Sequence, residues 1–325
     1  IFNAPYANTR SVVELAIGEI VMLLRRTIEA SGKLHEGRWA KSAEGCHEVR
    51  GRRLGIVGYG SIGSQLSVLA EALGMEVIYF DVVERLAIGN ARRAESLDEL
   101  LRSADVVSLH VDGRTQNRNL IGDRELRRMR DGAILLNLSR GGVVDLKALA
   151  RHLRSGKLGG AAIDVFPEEP ADGRQPFSSE LCGMPNVILT PHVGGSTLEA
   201  QQRIAEQVSI RLVDFLRDGR TVGSVNFPPV DVPPLLSGRR LVHVHQNRPG
   251  AMAGLNGVYA RHGINIVGQH LSTNAHIGYA VTDVERSGGR DVESELAKAK
   301  HTIRFRVLSA SGAADTGAKR SKASH

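Results

Sequence analysis

Leu54-Gly-Ile-Val-Gly58-Tyr-Gly60-Ser-Ile-Gly63, continued by Met75-Glu-Val-Ile-Tyr-Phe-Asp81, is the stretch from which the rest of the chain can be read. An apolar run ends at a glycine turn, a helix is predicted over 61–73, and a second apolar run ends in an acid. Gly58, Gly60 and Gly63 fit the pattern G-x-G-x-x-G, a weak signal alone because glycine is common in turns. Its position between strand and helix gives it weight, as does Asp81, 18 residues beyond Gly63. Gly58 permits the tight turn, Gly60 lets the backbone approach a pyrophosphate, and Gly63 lets the helix pack closely on the strand. The helix N-terminus then faces the phosphates. Asp81 is expected to accept hydrogen bonds from the adenosine ribose and to repel a 2′-phosphate, favouring NAD over NADP, with Arg85 nearby working against that preference.

The same alternation continues on both sides. A helix over 8–26 is apolar almost all round, which predicts burial on more than one side. Helices are predicted over 97–102, 124–129 and 146–154, and strands over 106–109, 134–138, 161–165 and 186–190. Ser96 with Glu99, and Ser196 with Glu199, read as capping boxes, and Gly156 as a C-terminal cap. Apolar strands alternating with helices specify α/β architecture, a doubly wound parallel sheet of the Rossmann type over 8–195. A long amphipathic helix over 197–216 lies in a segment, 196–225, that returns toward a different domain. Four prolines within 228–234 make 226–236 a stiff linker. Residues 237–308 read strand, helix, two strands, helix, strand, the ferredoxin-like βαββαβ order. The tail over 309–325, small and polar, is expected to be disordered.

Composition excludes other classes. The 325 residues carry 42 Lys and Arg against 35 Asp and Glu, for a net charge of +7, with 42% hydrophobic residues. Disorder throughout, a collagen-like chain and a disulfide scaffold are all ruled out. No apolar run reaches the roughly 18 residues of a membrane span, because Glu14, Gly18 and Glu19 interrupt the first helix. Two cysteines, Cys46 and Cys182, lack any metal spacing, and they predict a reducing, cytoplasmic setting with no metal site. The positive excess is spread along the chain without a basic aromatic patch, so nucleic acid is not the expected partner.

Three further segments place polar residues just after strands, where open α/β sheets bind ligands: Asn137-Leu-Ser-Arg140-Gly-Gly, Asp164-Val-Phe-Pro-Glu-Glu169-Pro and Thr190-Pro-His192-Val-Gly-Gly-Ser196. These runs resemble the signatures of the D-2-hydroxyacid dehydrogenases. With Phe2-Asn-Ala-Pro-Tyr-Ala-Asn-Thr-Arg10-Ser and His243-Val-His245-Gln-Asn247-Arg-Pro-Gly250, the chain is most similar to the branch that oxidises 3-phospho-D-glycerate and bears one C-terminal ACT domain, the regulatory module expected over 237–308. The resemblance covers residues 1 to about 308.

The resemblance implies NAD-dependent oxidation of 3-phospho-D-glycerate, or a related 2-hydroxy acid, to 3-phosphohydroxypyruvate, the first step of L-serine synthesis. The family's Arg, Glu and His fall on Arg140, Glu169 and His192. Chemistry agrees: Arg140 can bind the substrate carboxylate bidentately, His192 can move the hydroxyl proton, and Glu169 can orient the imidazole. Glu169, and not its neighbour Glu168, matches the motif. Ser61, Ile62, Leu138, Ser139, Gly194 and Gly195 match cofactor-contact positions, alongside Gly58, Gly60, Gly63 and Asp81. Arg140 and His192 also belong to the cofactor set. Asp164 is placed near the nicotinamide, with a purely structural cap as the rival reading. His245, Asn247 and Asn265 match positions that hold an effector, L-serine, at a contact between two ACT domains, where an effector-free dimerisation module is the alternative. A homo-oligomer, a tetramer by resemblance, is implied. Trp39 matches a residue that meets a neighbouring subunit in relatives.

The resemblance implies an N-terminal substrate domain of which residues 1–7 read as a remnant; the sequence is expected to lack most of it and to be poorly active as it stands. Other readings are a different D-2-hydroxyacid dehydrogenase, which would share the same catalytic residues, and a non-catalytic NAD-sensing or decayed fragment.

Overall fold

In the computed structural model, residues 1–286 and 288–310 are described; of the tail expected to be disordered over 309–325, Ser309 instead ends a strand paired with Arg239, and 311–325 lie outside the described residues. The chain divides into two compact units. One comprises residues 5–202; the other comprises residues 1–4 with 203 onward.

The first unit is built on seven parallel strands: β1 (Arg53–Val57), β2 (Glu76–Phe80), β3 (Arg92–Arg93), β4 (Val106–Leu109), β5 (Ala133–Asn137), β6 (Leu158–Ile163) and β7 (Val187–Leu189). Their order is β3-β2-β1-β4-β5-β6-β7, with every pairing parallel. The order reverses between β1 and β4, the switch point where doubly wound sheets take their ligands. Helices α1 (Thr9–Leu24) and α3 (Ser61–Ala72) cover one face, and α4 (Leu97–Ser103), α5 (Asp123–Arg128) and α6 (Leu146–Arg154) cover the other. Strand residues such as Leu54, Ile56, Leu135 and Leu136 are therefore shut off from water, each contributing roughly 2 kcal/mol of hydrophobic stabilisation.

Local chemistry sets the ends of the helices. Ser96 caps α4 by accepting from the Glu99 amide at 3.2 Å, and the Glu99 carboxylate reaches back to the amide of Glu95, one residue before the expected one. Asp145 caps α6 through the Ala148 amide at 3.0 Å, worth about 1 kcal/mol. Burial of α1 is wide but incomplete: Val12, Val13, Ala16, Ile20 and Leu23 are buried, while Arg10, Glu14 and Val21 form an exposed strip. A short helix, α2 (Thr27–His35), follows it, held by Glu29 between Arg26 and Lys33.

A long helix, α7 (Leu198–Asp218), leads into the second unit. Its start differs from the expected Ser196 cap, because the hydroxyl of Thr197 accepts from the Ala200 amide at 3.2 Å. Beyond it, β8 (Arg239–Gln246), α8 (Ala251–Arg261), β9 (Ile266–Thr273), β10 (Ile277–Val284), α9 (Arg290–Lys298) and β11 (Thr302–Ser309) form an antiparallel sheet in the order β11-β8-β10-β9. The proline-rich segment packs on this sheet, with Val230 and Val232 buried against Val242, Val244 and Val281. Thr221 fixes it by donating to the Pro228 carbonyl and accepting from the Val230 amide, both at 2.7 Å.

Candidate active site

Every candidate residue of the first unit follows the C-terminal end of a strand. Gly58 leaves β1 with φ of +93°, a left-handed conformation that favours glycine. A side chain there would meet the His110 carbonyl oxygen at 2.5 Å, and one at Gly63 would meet the Gly58 carbonyl oxygen at 2.3 Å. At Gly60 the corresponding space is open, so bare backbone and the first turn of α3, with Ser61 and Ile62, can be approached by a phosphate. Asp81 leaves β2 beside this turn. Its Oδ2 accepts from the Tyr59 amide at 2.8 Å and its Oδ1 from the Val83 amide at 2.9 Å, with Arg85 Nε at 3.9 Å. Behind the turn, His110 is pushed down to about 4 by burial and is therefore neutral, its Nε2 2.9 Å from the Ser108 hydroxyl. An open glycine, a 12-residue helix aimed at it and an adjacent carboxylate suit a dinucleotide.

Asn137 ends β5 and shapes the next turn. Its Oδ1 accepts from the amide and hydroxyl of Ser139 at 3.1 and 2.8 Å, and its Nδ2 donates to the Arg140 carbonyl at 3.0 Å. Leu138 and Ser139 stay buried while the Arg140 side chain emerges. Across the cleft, His192 Nδ1 lies 2.8 Å from Glu169 Oε2, and Glu169 Oε1 accepts from the Phe166 amide at 3.0 Å. Partial burial raises the Glu169 carboxyl, yet the hydrogen bonds of His192 and Phe166, with the charges of His192 and Arg140, outweigh it and hold Glu169 below the usual carboxylate range. Arg140, Glu169 and His192 thus line one cleft of about 1260 Å³, which Arg114, Arg118 and Lys147 also border. An imidazole backed by a carboxylate, facing several cations, can move a proton on an anionic substrate.

Asp164, at the end of β6, holds the histidine loop. Its Oδ1 accepts from the Thr190 hydroxyl at 2.6 Å and the Val193 amide at 2.8 Å, and its Oδ2 accepts from the Gly194 amide at 2.8 Å. Gly195 follows beside Asn8, whose amide nitrogen a side chain at 195 would meet at 2.4 Å.

In the second unit, His245 and Asn247 lie together at the end of β8. His245 Nδ1 is 2.8 Å from the Gln246 carbonyl, and Asn247 Nδ2 donates to the Asn274 carbonyl at 2.8 Å. Asn265 lies elsewhere. Gln246 pairs with Ile277, whereas Ile266 pairs with Val284, at the far end of β10, roughly 23 Å away at about 3.3 Å per residue. Within one chain the three residues are not brought together.

Sequence reasoning missed the work of Asn137, although an amide ending an apolar strand before Leu-Ser-Arg was a signal. It also missed Arg114, Arg118 and Lys147, which tertiary folding alone brings to the cleft.

Residues 17–194 match the family model described as D-isomer specific 2-hydroxyacid dehydrogenase, NAD binding domain, and residues 241–304 match one described as AHAS small subunit-like ACT domain. The chain is 50% identical over 308 residues to D-3-phosphoglycerate dehydrogenase of Haemophilus influenzae, covering 95% of this chain and 75% of the relative. It is 49% identical over 312 residues to the Escherichia coli K12 protein of that name, with the same coverage. Among solved structures, it is similar to the NAD-complexed D-isomer specific 2-hydroxyacid dehydrogenase from Lactobacillus delbrueckii ssp. bulgaricus, at a TM-score of 0.63 and 27% identity, over 67% of this chain and 70% of that one. With half of its residues shared across three quarters of such relatives, this chain belongs to the D-isomer specific 2-hydroxyacid dehydrogenases and, within them, to the D-3-phosphoglycerate dehydrogenases.

Proposed function

We propose that the protein oxidises 3-phospho-D-glycerate to 3-phosphohydroxypyruvate at the cleft between Arg140 and His192. The observation that carries this reading is the 2.8 Å contact of Glu169 with His192 Nδ1 in the cleft that Arg140 lines. NAD, when bound at the Gly58–Gly63 turn, supplies the hydride acceptor. Arg140 binds the substrate carboxylate and polarises the carbon that becomes a carbonyl. His192 Nε2 takes the hydroxyl proton, and the Glu169 carboxylate on Nδ1 stabilises the imidazolium that forms. Arg114, Arg118 and Lys147 supply positive charge for an anionic substrate. Initial rates with 3-phospho-D-glycerate and with non-phosphorylated 2-hydroxy acids test the reading. Faster turnover of a non-phosphorylated acid, or wild-type turnover by His192→Ala, overturns it.

L-serine is the effector we assign to the ACT unit. Two Asn amides and an imidazole offer the donors and acceptors that an amino acid's charged ends require, and the position of Asn265 calls for a second copy to complete the site. A homo-oligomer follows from that reading, with a tetramer as its symmetric form. A cytoplasmic setting accords with two free cysteines. Among the described residues no helix is long and apolar enough to cross a membrane.

A further inference from the structure

The loop between Asp81 and Arg92 takes no part in the mechanism above, yet two buried aromatic side chains fix its course. Tyr59, inside the glycine turn, and Tyr79, on β2, stack with ring centroids 3.8 Å apart and planes 21° from parallel. Both are almost wholly buried, and both hydroxyls reach main chain of this loop. The Tyr79 hydroxyl donates to the Arg85 carbonyl at 2.8 Å. The Ser67 hydroxyl donates to the Ser64 carbonyl at 2.7 Å, so the Tyr59 hydroxyl, 2.7 Å from Ser67 Oγ, gives its proton to Ser67 and accepts from the Ile88 amide at 3.3 Å. Further on, the Glu71 carboxylate accepts from the amide and the side chain of Asn90 at 3.0 and 2.7 Å. The backbone of a loop that leaves Val82, Val83 and Leu86 exposed is thus tied down at three points. The first of them belongs to Arg85, whose Nε lies 3.9 Å from Asp81 Oδ2. Arg93, opposite Tyr79 in the pairing of β2 with β3, donates to the Asp81 carbonyl at 3.4 Å. Asp81 therefore meets an incoming group with its carboxylate already accepting from two amides and with two arginines beside it, and it repels a negative charge less than a bare carboxylate would.

We propose that Tyr79 is a positioning residue for cofactor choice: by holding the main chain of Arg85, its hydroxyl keeps the guanidinium beside Asp81, so that this corner admits a ribose carrying a 2′-phosphate and the protein accepts NADP as well as NAD. The inference rests on the reading that Asp81 meets the adenosine ribose. An exposed arginine held only by a carboxylate 3.9 Å away gains little from the pair and swings off at little cost. Fixing its backbone reduces the freedom that is lost when it meets a ligand. A 2′-phosphate needs such a planar cation within reach. The free 2′-hydroxyl of NAD needs only the carboxylate, so the tether adds nothing to its binding. Without the tether, Asp81 is left to repel the phosphate while its service to NAD is unchanged.

Calorimetric titration of the whole chain with NADH and NADPH tests this, with the ratio of the two dissociation constants as the readout. Wild type is expected to bind NADPH, more weakly than NADH but within the millimolar range. Tyr79→Phe keeps the stacked ring and removes the one bond to Arg85; NADH affinity reports that the turn is intact, and the preference for NADH should deepen by about fivefold, the scale of a single hydrogen bond. Arg85→Ala, which leaves the buried rings untouched, should deepen it at least as much, and the double variant no further, because Tyr79 acts through Arg85. If Arg85→Ala shifts the ratio and Tyr79→Phe does not, arginine reads the phosphate without help from the tyrosine, and the proposal is overturned while the place of the ribose stands. Equal weakening of both cofactors by Tyr79→Phe reduces its hydroxyl to a structural support and overturns it too, as does wild type that binds no NADPH. If Asp81→Ala binds NADH and NADPH as wild type does, the ribose is not at Asp81 and both readings fall.

Discussion

The main-chain amide of His192 donates to the carbonyl oxygen of Asp164 at 2.8 Å, while His192 itself sits at φ of +55°. A non-glycine residue in that left-handed region is held there by its surroundings. Asp164 provides the hold twice over, through its carbonyl and through a carboxylate that accepts from Thr190, Val193 and Gly194. The backbone of the loop that carries His192 is thus fixed from the end of β6.

Replacing Asp164 with Ala should therefore loosen the loop before it affects anything else. Three hydrogen bonds to a buried carboxylate are lost, and a net destabilisation of about 3 kcal/mol is expected. Chemical denaturation of variant and wild type measures it. A loss within error of zero would show that the loop is held by other means.

How much of this was legible in the sequence depends on the range of the interaction. The glycine turn and Asp81 were readable because strand end, turn and helix start are adjacent in sequence, so local conformation alone fixes Gly58 and Gly63. Arg140, Glu169 and His192 lie far apart in sequence and were readable from the resemblance of three segments that follow strand ends, which a parallel sheet must line up. The Thr197 cap was misplaced by one residue because Ser196 and Thr197 are equally good caps until the loop path is known. Glu19 could not be interpreted at all: both Glu14 and Glu19 interrupt the apolar pattern of one helix, and nothing local tells which acid faces solvent and which is buried.

Asp81→Ala should alter cofactor choice. The variant loses the carboxylate that would receive the ribose hydroxyls, together with its support of the Tyr59 amide. NAD affinity should fall by about 1 to 3 kcal/mol, whereas NADP affinity should hold or rise, because Arg85, now 3.9 Å from the acid, is freed to meet a 2′-phosphate. Fluorescence titration with both reduced cofactors decides it, and unchanged NADH affinity would remove Asp81 from the site.

Glu169→Gln keeps the shape of the dyad and removes its charge. Turnover should fall by about a hundredfold, the usual scale of general acid–base assistance, with cofactor affinity little changed. Since Glu169 is held below the usual carboxylate range, its contribution is present above that range and is lost only as pH falls through the lowered value. Rapid-mixing rates under acid conditions should show the wild-type enzyme keeping the dyad to lower pH than an ordinary glutamate would allow.

The pH dependence of stability should run the other way at Glu19. A carboxyl raised from 4.5 to about 8 on folding costs nothing below its unfolded value and progressively more as pH rises toward the folded one. Wild type should therefore lose stability relative to Glu19→Gln between these two values, by at most about 5 kcal/mol. Urea denaturation across that window measures the difference, and parallel curves would mean that Glu19 finds a partner.

The effector site gives a prediction that depends on geometry alone. Because β8 and β10 are antiparallel and fully paired, His245 and Asn247 lie at one end of the sheet and Asn265 at the other. No rotation of side chains closes a gap of roughly 23 Å at about 3.3 Å per strand residue. If serine needs all three residues, each site must take His245 and Asn247 from one chain and Asn265 from another, and a two-fold contact creates two such sites. Asn247→Ala and Asn265→Ala should then each abolish serine binding when present throughout the oligomer. Mixed after unfolding and refolding together, they behave differently: in a mixed pair one site carries both defects and the other carries neither. Random mixing should restore about a quarter of the sites, as expected for a symmetric contact used twice. Calorimetry at millimolar serine counts them. No recovery from a mixture shown to form mixed oligomers would mean that both Asn residues serve the same chain's site, or that serine binds elsewhere, and the shared site would have to be abandoned.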